Sequence, residues 1–408
     1  VNNEPWQMKS VSELCRKVTS GGTPSRARPE FFRNGTIPWI KTGELKDGIV
    51  TEYEERITAA AVQESAARVL PANTVLMAMY GATVGALGIL SEPSACNQAS
   101  CALIANEEVC DYRWLFYALL NDRPRAVGLA TGAAQQNLSG RTIGAFSYLT
   151  PSLVEQRAIA DVLDALDKKI AANVAIQKNL LRFARANWAL KLAGNAQVPL
   201  RKVVAPGLSG VWGEADYSAK LSEKVHIFRG RDLQDYVAGT QLDLPERFVS
   251  LAQAGKRIAS VTTEIWTAGS GSLGPSLLVT PEVRRGFDLP IMYSNFVRRL
   301  VALPGQERHL TSAWFAMLAA WDAGDFQSFR TGTAMPNLDV PALLSGVKVP
   351  LLREAERREV SKWAELATSL ERMRENHALA ALRDTLLPQL MSGKLRVRDA
   401  ERAVSEVL

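Results

Sequence analysis

The sequence is poor in the residues that mark a catalyst. Its 408 residues hold three histidines, His226, His309 and His377, too scattered for a triad or a histidine metal cluster. No Pro-Pro dipeptide occurs, which excludes the Asn/Asp-Pro-Pro-Tyr/Phe loop of amino methyltransferases. No G-x-x-x-x-G-K-S/T phosphate loop occurs, so ATP-driven motion is not expected of this chain. No apolar run approaches the ~18 residues of a membrane helix. The opening Val1-Asn2-Asn3-Glu4-Pro5 carries no secretory signal pattern, and the missing initiator Met reads as trimming. Cys15, Cys96, Cys101 and Cys110 lack histidine neighbours and metal-ligand spacing; reduced, packed thiols in a cytoplasmic protein are expected. A net charge of +6 permits a nucleic-acid partner without demanding one. These absences describe a binder rather than a catalyst.

What is present is an internal repeat. Thr131-Gly132-x-Ala134-x-x-Asn137-Leu138 recurs as Thr331-Gly332-x-Ala334-x-x-Asn337-Leu338, an offset of 200. Upstream, Lys41-Thr42-Gly43-Glu44-Leu45-Lys46-Asp47 is echoed by Arg229-Gly230-Arg231-Asp232-Leu233-Gln234-Asp235. Gly85-Ala86-Leu87-Gly88 is matched to Gly271-Ser272-Leu273-Gly274, and Asn97-x-Ala99 loosely to Asn295-x-Val297. Leu300 then comes one residue sooner than Leu103 does. The period is too long for a solenoid array, so duplication of a domain-plus-helix unit is expected.

Each copy reaches a proline, Pro151 or Pro350, and 43 residues later a glycine, Gly194 or Gly393. Ile159, Leu163, Leu166 and Ile170, then Gln177, Leu180 and Leu181, follow heptad-like spacing. Val360, Trp363, Leu366, Leu370, Met373 and His377 do the same after Pro350. Each segment predicts ~60 Å of helix. Helices of matched length can bury each other's stripes, and antiparallel pairing is favoured because it separates the globular units. Asn173, Gln177 and His377 fall near the seams, either as a solvated edge or as polar residues that fix register.

The predicted fold class is α+β: two α/β domains separated by two long helices that pair as an antiparallel coiled coil, with a pseudo-twofold repeat. The expected boundaries are 1–150, 151–195, 196–350 and 351–408. Strands are predicted at 37–40, 74–80, 258–266 and 277–280, and helices at 114–120 and 313–318. Gly269-Ser270-Gly271-Ser272-Leu273-Gly274 matches G-x-G-x-x-G after a strand, but Pro275 follows where a helix should run, which favours a turn.

The chain resembles the specificity subunit of type I restriction–modification systems. The residues that carry the likeness are Ser20-Gly21-Gly22-Thr23-Pro24-Ser25, Gly35-Thr36-Ile37-Pro38-Trp39-Ile40, Pro151-Ser152-Leu153-Val154-Glu155-Gln156-Arg157-Ala158-Ile159 and Leu386-Leu387-Pro388-Gln389-Leu390-Met391-Ser392-Gly393-Lys394-Leu395. The second half departs from the pattern at Leu352-Arg353-Glu354-Ala355-Glu356-Arg357. The resemblance implies two target-recognition domains that each read half of a bipartite double-stranded DNA site. It implies helices that measure the gap and dock two methyltransferase (modification) subunits, with restriction or motor subunits added. S-adenosylmethionine, ATP and Mg are then expected on the partner subunits and none on this chain.

Base readers need edge donors and acceptors, and affinity needs cations at phosphates. In the first unit the candidates are Lys41, Thr42, Tyr80, Gln98, Gln135, Gln136, Asn137 and Arg141. In the second they are Arg229, Arg231, Ser270, Ser272, Asn295, Arg298, Arg299, Arg330 and Thr333. Arg284-Arg285 and Arg298-Arg299 read either as phosphate contacts or as ordinary surface charges. Two other classes stay open: a coiled-coil protein-interaction scaffold without DNA specificity, and a nucleotide-dependent enzyme using the Gly269 loop.

Overall fold

The computed structural model describes residues 5–131, 138–239, 242–258, 262–271, 273–332 and 336–408. The chain divides into two compact units, Val1–Lys169 with Leu379–Leu408, and Ile170–Ala378. The division runs through the long helices, so each unit carries part of both.

The strands of the first unit are β1 (Gln7–Ser10), β2 (Cys15–Ser20), β3 (Ile37–Ile40), β4 (Gly48–Val50), β5 (Arg56–Ile57), β6 (Val75–Ala78), β7 (Leu87–Leu90), β8 (Ala95–Cys96), β9 (Ser100–Ala105) and β10 (Ser147–Thr150). Its helices are α1 (Val11–Leu14), α2 (Ala59–Glu64), α3 (Tyr112–Asn121), α4 (Arg123–Thr131), α5 (Gly140–Gly144) and the start of α6 (Leu153–Leu190). A five-stranded sheet runs β2-β9-β6-β7-β4, beside a three-stranded sheet β5-β3-β8 and the ribbon β1-β10. All four residues of β6 are buried, as its unbroken apolar run predicts for a strand covered on both faces. Helix α3 buries Trp114, Leu115, Phe116 and Leu119 and starts at Asp111, whose carboxylate accepts from the Arg113 and Trp114 N–H groups.

The four cysteines are buried and unpaired, as expected. Burial pushes the thiols of Cys15, Cys96 and Cys101 up to about 12, where they stay protonated.

In the second unit lie β11 (Gln197–Pro199), β12 (Val204–Pro206), β13 (Glu223–Phe228), β14 (Glu246–Val249), β15 (Glu264–Ala268), β16 (Leu277–Val279), β17 (Ile291–Tyr293), β18 (Val297–Ala302), β19 (Arg330–Thr331), β20 (Asn337–Leu338) and β21 (Lys348–Pro350). Its helices are α7 (Gly230–Ala238), α8 (Leu251–Ile258), α9 (Pro281–Arg285), α10 (Leu310–Asp322), α11 (Val340–Gly346), α12 (Glu354–Thr368) and the start of α13 (Glu371–Met391); α14 (Val397–Ser405) closes the chain in the first unit. The strand predicted from Ile258 starts later, at Glu264, because Leu251–Ile258 forms an amphipathic helix.

The duplication is written in the topology. The antiparallel order β2-β9-β6-β7 returns as β12-β18-β15-β16. In the smaller sheets β3 pairs antiparallel with β5 and parallel with β8, and β13 does the same with β14 and β17. Ribbon β1-β10 returns as β11-β21. Leu103 faces Val75 as Leu300 faces Ile265, so the two leucines are equivalent and the Asn97/Asn295 match is one residue out: Asn295 stands where Gln98 does. Strand register corrects a second match as well. Val75 pairs Ile89 and Ile265 pairs Leu278, so the Gly85–Gly88 run is out of step with Gly271–Gly274. The counterpart of Gly271 is Gly81: each lies at the same distance beyond the end of its strand, β15 or β6, at φ 77° and 80°.

The long helices pair antiparallel within the second unit. Asn173 Nδ2 donates to Asn376 Oδ1 at 2.9 Å and Asn187 Nδ2 to Glu359 Oε1 at 2.8 Å, so rising numbers on α6 meet falling ones on α13 and α12. Asn173 and Gln177 are 4% and 3% exposed, so they are buried seam residues and not a solvated edge, whereas His377 is exposed. The second helical segment is not continuous as predicted. It breaks at Ser369-Leu370, between α12 and α13. Leu370 leaves the helical path to join the core around Phe228 and Trp266, against Gly286, where any Cβ would lie 1.6 Å from its Cδ1. The carbonyls freed near the break are taken up: Tyr236 Oη donates to Thr368 O at 2.9 Å, and Gln177 Nε2 donates to Ala367 O.

The helix starts explain the departure from the family-like pattern. Gln156 is fully buried; its Oε1 accepts from Asp111 N at 2.9 Å and its Nε2 donates to Val109 O and Pro151 O, both at 3.0 Å. The matching position after Pro350 is the exposed Ala355. There Arg357 Nη1 donates to Leu352 O at 2.7 Å instead.

Candidate nucleic-acid interface

Three backbone hydrogen bonds gather four loops at one place in the first unit. Asn97 N donates to Ile40 O (3.0 Å), Met79 N to Ala99 O (2.8 Å) and Leu138 N to Met79 O (2.9 Å). They join the ends of β3 and β6, the β8–β9 turn and Leu138, where the Thr131 repeat ends. The second unit repeats each bond. Ser294 N donates to Phe228 O (2.9 Å), Gly269 N to Phe296 O (2.6 Å) and Leu338 N to Gly269 O (2.9 Å). The sequence repeats at Lys41/Arg229 and Leu138/Leu338 therefore mark one loop cluster, built twice, in which Ser294 stands for Asn97 and Asn295 for Gln98.

A fifth segment closes on each cluster because a glycine permits it. A Cβ on Gly21 would sit 2.2 Å from Cys96 O, and one on Gly210 2.1 Å from Ser294 O. This close approach brings Thr23 to Gln98, whose Oε1 accepts from the Thr23 hydroxyl. Tyr80 Oη donates to Gln98 O at 2.9 Å. Tyr80 and Gln98 thus stand together, and Lys41 follows Ile40 on the neighbouring loop.

The cations at the strand ends are occupied. Lys41 Nζ pairs with Glu54 and, at 3.1 Å, with Glu55, which Arg26 also holds at 2.6 Å. The Arg26 guanidinium keeps the Glu55 carboxyl below the usual carboxylate range, and Glu54 raises Lys41. Arg229 takes the same place in the second unit. Asp232 accepts from its backbone N–H at 2.7 Å and from its guanidinium at 2.8 Å, as Glu44 accepts from Lys41 N at 2.7 Å. Both basic residues begin a helical turn as well as facing the loops. Thr42 is half-buried in that turn.

The other candidates divide by exposure. Arg141 in α5, Arg231 at 82% side-chain exposure, Arg330 in β19 and Asn295 are exposed. Ser270 bridges to Asn337 in the cluster. Arg298 lies along the Cβ-less Gly269, and its Nη1 donates to Asn295 O at 2.8 Å. Arg299 and Arg284 are neither surface charges nor placed to meet phosphate. Their side chains are 10% and 12% exposed and both bond the fully buried Glu264, Arg299 Nε at 2.6 Å. Arg285 remains exposed, 2.7 Å from Glu282. Gln135, Gln136, Asn137, Ser272 and Thr333 lie outside the described residues. Thr23, Arg26 and Phe296 belong to the clusters but were not singled out by sequence; only the Ser-Gly-Gly-Thr run pointed towards Thr23. Among the described residues no group of three His, Cys, Asp or Glu side chains forms a metal-ligand set, and no helix is long and apolar enough to cross a membrane.

Comparison with known proteins sets a likeness beside this geometry. Residues 3–182 match the type I restriction modification DNA specificity domain. Over 166 residues, 40% of this chain, the sequence is 26% identical to the EcoR124I/EcoR124II specificity subunit of Escherichia coli. Over 191 residues, 45% of the chain, it is 27% identical to the MjaIX specificity subunit of Methanocaldococcus jannaschii. The matched stretches span 41% and 43% of those relatives' own lengths. The crystal structure of a type I restriction-modification S subunit from M. genitalium superposes with a TM-score of 0.51 at 17% identity, covering 96% of this chain and 97% of that one, which supports the fold. Residues 3–182, less than half of the chain, are thus similar to the type I restriction modification DNA specificity domain.

Proposed function

We propose that this chain is the DNA-specificity subunit of a type I restriction–modification complex, reading a bipartite site with one loop cluster per unit. The observation that carries the reading is the repeated frame. The same three backbone hydrogen bonds hold the same four loops in both units, while the side chains they present differ. A constant frame with variable polar tips suits two readers of two different half-sites. The paired helices set the gap between half-sites and dock two methyltransferase subunits. Those subunits supply S-adenosylmethionine, and motor subunits supply ATP and Mg chemistry; this chain contributes recognition and no catalytic group.

The test is to co-express the chain with its modification subunit and map methylated adenines across a genome by single-molecule sequencing. A split motif with two short defined halves and a fixed gap is expected. A continuous motif, or no methylation from a soluble complex, refutes the reading and favours a protein-interaction scaffold.

A further inference from the structure

Ser294–Val297 is where the two units share a frame and differ in chemistry. The second unit places Asn295-Phe296 where the first has Gln98-Ala99, because Gly269 N bonds Phe296 O as Met79 N bonds Ala99 O. The turn is tightly held. Val297 N donates to Ser294 O at 3.0 Å, and Arg298 Nη1 donates to Asn295 O at 2.8 Å. A Cβ on Gly269 would lie 2.7 Å from Arg298 Cγ, so the glycine is what lets Arg298 close the turn. Ser294 and Val297 are fully buried, whereas Phe296 is 50% exposed and Asn295 is exposed beside it. A rigid turn thus holds one amide and one aromatic ring outward.

We propose that Phe296 reads a thymine of the second half-site by apolar contact with its 5-methyl group, next to an adenine edge bound by Asn295. The inference rests on the DNA reading above. An Asn amide matches adenine N6/N7 bidentately, and that edge and the thymine methyl are both displayed in the major groove. Consecutive Asn and Phe side chains on one turn match those two features of A·T pairs. Ala99 has no ring, so the first unit makes no equivalent contact of this reach. Arg298 is a positioning residue here, since its head is spent on the turn itself.

The experiment uses the complex with its modification subunits and duplexes carrying the mapped motif. Each thymine of the second half-site is replaced in turn by deoxyuridine, which lacks only the methyl group. At one position the wild-type complex should fall about fourfold in methylation kcat/KM, the worth of one buried methyl. Phe296→Ala should fall by a similar factor or more on the thymine duplex and become indifferent to uracil there, while Phe296→Leu keeps part of the discrimination. Substitutions in the first half-site should act equally on all three proteins. A Phe296→Ala complex that still prefers thymine, or a wild type indifferent at every position, overturns the proposal. Absence of any split motif is a separate failure, of the two-reader reading itself, and takes this proposal with it.

Discussion

Replacing Glu264 by Gln should destabilise the second unit without touching the loops proposed to read DNA. Glu264 is fully buried and serves three donors: Trp266 Nε1 at 2.6 Å, Arg299 Nε at 2.6 Å and Arg284 Nη2. The amide keeps the shape but removes the charge, leaving two guanidiniums, 10% and 12% exposed, without a carboxylate. Breaking a buried pair by removing one partner costs roughly 3–5 kcal/mol. For a unit of this size that lowers Tm by about 10 °C. Arg299→Met should cost less, because Glu264 keeps Arg284 and Trp266. Calorimetry measures the stability, and the salt dependence of DNA binding distinguishes an interior arginine from one that meets phosphate. Removing a single phosphate-bound cation lowers the slope of log K against log salt by about 0.9. Arg299→Met should leave that slope unchanged, whereas Arg330→Ala or Arg141→Ala should reduce it. An Arg299→Met protein with unchanged Tm and a reduced slope would refute the assignment of Arg299 to the interior.

Gly21→Ala should weaken the first half-site alone and Gly210→Ala the second alone, since each new Cβ meets a backbone oxygen within 2.3 Å; competition with half-site variants reads the outcome, and equal effects on both halves contradict it. Gln177→Leu leaves the Ala367 carbonyl without its buried donor and should cost about 1–3 kcal/mol in chemical denaturation. An unchanged midpoint would mean that the seam is not specified there. The Glu356 carboxyl, bonded by the Arg353 guanidinium and backbone N–H, is pulled from 4.5 to about 2. A depressed carboxylate stabilises above its ordinary range, and that stability disappears as pH falls through about 2. Glu356→Gln should therefore lower Tm at pH 6 and converge with the wild type near pH 2; a constant gap would show that the charge is not responsible.

Sequence exposed what recurs by local chemistry and hid what depends on distant partners. The Lys41/Arg229 repeat was visible because the same turn needs similar residues at its start. The Leu103/Leu300 slip was visible too, although only strand register shows that both leucines hold one position. The break at Leu370 was hidden: its heptad spacing is intact, and the cause lies at Gly286 and Tyr236, far away in sequence. Arg299 misled for the same reason. Two adjacent arginines look like a surface patch, but neighbours on a strand point to opposite faces. Arg298 turns to the loop at Asn295 and Arg299 turns inward to Glu264. A strand that alternates between frame and tip in this way lets the tips change without disturbing the frame. Specificity can therefore diverge between two copies of one fold while both keep the same hydrogen bonds, and the residues that read DNA should be sought among exposed positions whose counterparts in the other unit differ.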